Sequence, residues 1–144
     1  REPAVGLHEN NSAVEREKAH GGSMINQSRT LIQWLNDNVI KTYSDPVPKN
    51  ASLPYATLSY GISAFGRSYL QQVIIWTRAE KDYSEAYSYV DKLQTALGHA
   101  GARVPGTDCI LWIRKGDPFA QNNTNRDADV RSVMVNLDIV AYYR

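Results

Sequence analysis

Two hydrophobic periods run through this chain, one of two residues and one near 3.6, and the change between them is sharpest across residues 69–98. Tyr69–Thr77, YLQQVIIWT, reads as a strand: Val73, Ile75 and Thr77 point one way, Ile74 and Trp76 the other. Apolar residues on both faces predict a central strand. After Arg78-Ala79-Glu80-Lys81 the spacing changes, and Ala86, Val90, Leu93 and Leu97 recur at three and four residues, with Tyr83 and Tyr87 beside them. Asp82 or Ser84 offers an oxygen to the unpaired N–H groups of the first turn, and Gly98 or Gly101 can end the helix.

The remaining pattern extends this strand–helix unit. Met24–Tyr43 predicts a first helix, with Ser28, Leu31, Ile32, Leu35 and Val39 on one stripe and Trp34 at the flank of the core. Prolines break residues 44–54, after which Tyr55–Tyr60 reads as extended and Gly61–Arg67 as a hairpin connection. Ala102–Gly106 is a further break, and Thr107–Arg114 alternates as a buried strand. Lys115–Asp129, rich in Gly, Pro and Asn, reads as a long polar loop. Val130–Tyr143 alternates Val133, Val135, Leu137, Ile139 and Ala141 against Ser132, Met134, Asn136 and Asp138, a strand with one wet face. The expected fold is α+β in the order α-β-β-α-β-β: a four-stranded, mainly antiparallel sheet with two helices on one face. Residues 1–23 carry few large apolar groups, and Gly21-Gly22-Ser23 precedes Met24 as a linker would. They read as a tag, linker or extension arm ahead of one domain at 24–144.

Composition narrows the functional classes. Sixteen Lys and Arg against fifteen Asp and Glu give a net charge of +1, so no global field draws the chain to nucleic acid or an anionic membrane. No apolar run approaches the roughly 20 residues that span a bilayer. One cysteine, Cys109, excludes an internal disulfide and reads as a small core residue. His8, His20 and His99 have no metal-ligand spacing, and no serine has a neighbouring histidine. Gly61–Gly66 lacks the spacing of a phosphate loop, and the Asn- and Asp-rich 122–129 segment lacks that of a calcium loop. The expectation is a non-enzyme without cofactor or metal.

Several segments resemble a known family. Pro48 followed by Leu53-Pro54-Tyr55, the apolar strand ending Ile75-Trp76-Thr77, and the Tyr83-Ser84-Glu85-Ala86 helix all resemble small tail-completion proteins of long-tailed phages and prophages. So does the closing strand 133–143, and the likeness runs from about Met24 to Arg144. The resemblance implies a tail terminator or head–tail joining protein, which caps the tail tube as a ring, commonly a hexamer, and presents a surface to the head connector. It implies three protein partners: further copies of itself, the tail tube protein and the connector protein. DNA would only pass through the lumen, no membrane would be involved, and assembly would take place in the bacterial cytoplasm before residence at the head-proximal end of the virion tail. On that reading the contact surfaces are the two long connections, through Phe65, Arg67, Arg114, Lys115, Phe119, Arg126 and Arg131. The alternative is a small α+β module that binds a ligand or RNA on the open sheet face.

Overall fold

The computed structural model describes residues 26–44, 46–58, 66–123 and 129–143. In chain order these form α1 (26–38), β1 (Thr42–Ser44), β2 (Tyr55–Leu58), β3 (Ser68–Arg78), α2 (Ser84–Leu97), β4 (Ala102–Pro105), β5 (Cys109–Asn122) and β6 (Val130–Tyr143). The strands make one curled sheet, a half-barrel, in the order β1-β2-β3-β6-β5-β4. β1 and β2 pair in parallel and every other neighbour is antiparallel. The expected four-stranded, mainly antiparallel sheet is thus corrected to a six-stranded mixed one.

Local hydrogen bonding explains both additional strands. The first helix stops at residue 38, short of Tyr43, because Val39 N–H and Ile40 N–H both donate to Leu35 O, at 2.8 and 2.9 Å. Asn36 Oδ1 then accepts from Thr42 N–H at 2.7 Å, which turns the chain into β1. Parallel strands need a connection that returns the chain to its starting end, and the proline-rich segment 46–54 supplies it. β4 forms where a break was expected, since Ala102–Pro105 pairs with Ile110–Ile113 along the far edge. An edge strand tolerates Pro105, which has no N–H to give to a ladder.

One face of the sheet carries the core. Residues opposite each other in an antiparallel pair share a face; Ile75 faces Val133, Val73 faces Val135, and Ile113 faces Ile139. The helices cover this side with Leu31 and Leu35 from α1, Val39 just after it, and Ala86, Val90, Leu93 and Leu97 from α2, the stripes predicted from spacing. Each leucine or valine among them contributes roughly 1.5–3 kcal/mol when fully buried. Cys109 lies in the same cluster and is wholly buried. At the start of α2, Asp82 Oδ1 accepts from Ser84 N–H at 2.6 Å, and Gly98, at φ 65°, ends the helix.

Tyr69 also stands on the core face, opposite Ile139. Burial, and after it the neighbouring Cys109, pushes its phenol from 10.0 to about 12. The folded protein therefore holds this proton where the unfolded chain has lost it. The stabilisation is complete below pH 10 and lost as pH rises through about 12. Tyr69→Phe is expected to flatten the alkaline limb of a stability-versus-pH profile, measured by urea unfolding, and to remove the last tyrosinate step in an absorbance titration. An unchanged alkaline limb would show that Tyr69 ionises in the native state as freely as in the unfolded chain.

Candidate assembly interface

Alternation sends the other half of the strand side chains to the face away from the helices. Three rows cross it: Pro105, Ile110 and Tyr142; then Arg103, Trp112, Val140 and Ser68; then Arg114, Asp138 and Leu70. Toward the Asn122 end the curl fills itself, with Trp76 Nε1–H donating to Thr57 Oγ1 at 2.9 Å and Ser132 fully buried. Toward the Cys109 end the described residues leave it more open, around a buried Val140. Leu70 is 56% exposed and Tyr142 43%, and these two with Tyr143 are the exposed large hydrophobics among the described residues.

Trp112 is the centre of that more open end. Its indole N–H donates to Ala100 O at 2.9 Å, while the guanidiniums of Arg114 and Arg103 lie 4.3 and 5.5 Å from its ring centroid. Arg114 Nη2 donates to Asp138 Oδ2, directly opposite in the ladder, at 2.8 Å. With both side chains about a third exposed, this pair is worth less than about 1 kcal/mol to the fold. Its stronger effect is to hold Arg114 in one orientation. Trp, Tyr and Arg around an apolar centre are the residue types enriched at the energetic centres of protein interfaces.

The residues expected at an interface fall in three places. Arg114 and Lys115 lead into an irregularity of β5 between Lys115 and Ala120, and Phe119 lies within it. There Lys115 Nζ lies 5.3 Å from the Phe119 ring centroid, and Asn136 Nδ2 donates to Pro118 O at 2.8 Å. Arg131 stands at the opposite end of the sheet, 5.6 Å from the ring centroid of Tyr83. Arg67 is exposed just ahead of β3, after Gly66, whose N–H donates to Ala141 O at 2.9 Å. Phe65 and Arg126 lie outside the described residues, as do residues 1–23 and most of the Gly61–Arg67 connection.

The long polar loop at Lys115–Asp129 is corrected: β5 continues to Asn122 and pairs again at Ala120↔Val135, Gln121↔Met134 and Asn122↔Val133. Gly116 and Pro118 belong to a bulge within the strand, not to a turn between strands. Tyr87 Oη donates to Asn122 Oδ1 at 2.8 Å and so ties the end of β5 to α2. Leu70, Arg103, Trp112, Asp138 and Tyr142 were absent from the sequence-based set. Each is unremarkable in its own strand, and only the register assembles them.

Among the described residues no group of three His, Cys, Asp or Glu stands close enough to hold a metal ion, and no helix is long and apolar enough to cross a membrane. The described residues define the class: two helices on one face of a six-stranded curled sheet, with Leu70 and Tyr142 exposed on the other. No protein-family model matches the chain, and no curated protein matches its sequence.

Proposed function

We propose that this chain is a structural subunit of a long-tailed phage, closing with copies of itself into a ring that ends the tail tube and joins it to the head connector. The observation that carries this reading is the more open end of the sheet face, where Leu70 and Tyr142 are exposed beside the ordered Arg103–Trp112–Arg114 stack. The segments that resemble tail-completion proteins support it from the sequence side. On this reading the patch meets a different surface of the next copy, a heterologous contact that yields a ring when the rotation closes. Growth of the tube stops because the ring covers its end, and no bond is made or broken. A net charge of +1 leaves DNA free to slide through the lumen.

A ligand or RNA module on the same face is less well supported. Base stacking needs an open aromatic face, and the guanidiniums of Arg114 and Arg103 already lie over Trp112. The discriminating experiment is mass in solution by light scattering over a range of concentrations, with and without residues 1–23 and with added tail tube protein. A discrete ring of about six copies, present alone or induced by tube protein, is expected. Leu70→Asp should weaken its assembly by roughly 2 kcal/mol or more per contact while leaving the monomer folded. A strict monomer that also ignores tube protein would overturn the proposal.

A further inference from the structure

β4 pairs with β5 only as far as Ala102 opposite Ile113, so beyond that point β5 has no strand partner on this side among the described residues. The segment 98–101 leaves α2 and crosses the exposed edge there. Two adjoining hollows of about 250 and 330 Å³ open beneath it and share Gly98, His99 and Lys115. Thr95 lines the first and Arg114 the second. Among the described residues, every ionisable side chain lining the two is basic.

The cations are held in place. Arg114 is fixed by Asp138 at 2.8 Å and by the Trp112 ring at 4.3 Å, and its Nε is a buried donor without a hydrogen-bond partner. Lys115 is positioned by the Phe119 ring at 5.3 Å. The last-turn carbonyls of α2 oppose an anion with about half a charge, and Gly98 N–H already occupies one of them, Gln94 O, at 3.1 Å. Arg114 and Lys115, less the Asp138 carboxylate paired with Arg114, leave one net positive charge, which exceeds that half. A tetrahedral oxyanion can take a fork of guanidinium N–H donors and an ammonium together.

We propose that this hollow binds a phosphate group, either free or as the diester of a nucleic acid backbone, independently of whether the chain forms a ring. The test is a two-dimensional amide NMR titration of the full chain at constant ionic strength. One arm adds inorganic phosphate, a second adds a short DNA duplex at equal phosphate concentration, and a third adds chloride alone. Saturable shifts are expected at the Gly98, His99 and Gly101 amides and at the Trp112 indole N–H. Lys115→Gln should weaken binding about tenfold, the loss of one charge-assisted hydrogen bond, and Lys115→Arg should restore most of it. Shifts with free phosphate assign the site to the free ion; shifts with the duplex alone assign it to the backbone. Linear, non-saturating shifts in both arms, equal shifts with chloride, or Lys115→Gln binding as the parent does would each overturn the site. A failure here leaves the mass in solution unchanged, so it is distinguishable from failure of the ring reading.

Discussion

Ile139→Ala is expected to lower the free energy of unfolding by about 2–5 kcal/mol, read as a fall in the urea midpoint at unchanged slope. Ile139 has no solvent exposure and stands between Tyr69 of β3 and Ile113 of β5, in the middle of the sheet. β6 is paired with β3 from Val130 to Val140 and with β5 over most of its length. Neither neighbour can move in to fill a void without breaking ladder hydrogen bonds, so the cavity term adds to the lost transfer free energy. Ile139→Val keeps the branched shape and should cost only about 0.5–1.5 kcal/mol. A loss below about 1 kcal/mol for the alanine variant would mean that the centre of the sheet relaxes freely, contrary to a core organised by two long ladders.

The same ladders decide what could be read before the fold was known. β6 is legible because Val133, Val135, Leu137, Ile139 and Ala141 are all at most 2% exposed, but its other face is not the wet one expected, since Ser132, Asn136 and Val140 are buried there. α2 is legible because Ala86, Val90, Leu93 and Leu97 must share a side of the helix to meet that sheet. β1 and β4 are hidden because three and four residues are too few to alternate, and β4 ends on a proline. The second half of β5 is hidden for another reason. Gly116 and Pro118 carry turn chemistry, and Gln121 and Asn122 take extended geometry from pairing with Met134 and Val133. Arg114 and Lys115 could be singled out as basic residues flanking a long polar stretch. That Arg114 meets Asp138, that Arg103 meets Trp112, and that Leu70 lies on the same face are facts of register. A slip of one residue would send each to the other side, and nothing within a single strand's sequence fixes the register against its neighbours.

Two glycines of one short segment test how tightly that register is clamped at the edge of β5. Gly98 has φ 65° and ψ −169°, a region that side chains other than glycine rarely occupy, yet a Cβ there would meet no atom within 4 Å. Gly98→Ala should therefore cost conformational strain alone, about 1–3 kcal/mol. Gly101, at φ 85°, carries a similar backbone penalty, and its Cβ would fall 2.6 Å from Ile113 O and 2.8 Å from Arg114 Cγ. The arginine can shift, but Ile113 O is part of a β5 backbone held at the paired position opposite Ala102. To admit a methyl group, residues 98–101 must lift from the strand, which would pull Ala100 O away from the Trp112 indole N–H now 2.9 Å from it. Gly101→Ala should exceed Gly98→Ala by about 1–3 kcal/mol of overpacking, measured by urea unfolding, and should shift the Trp112 indole N–H resonance where Gly98→Ala leaves it in place. Equal costs with an unmoved indole resonance would show that this segment lies loosely on the edge, and that Trp112 and Arg114 owe their orientation to β6 alone.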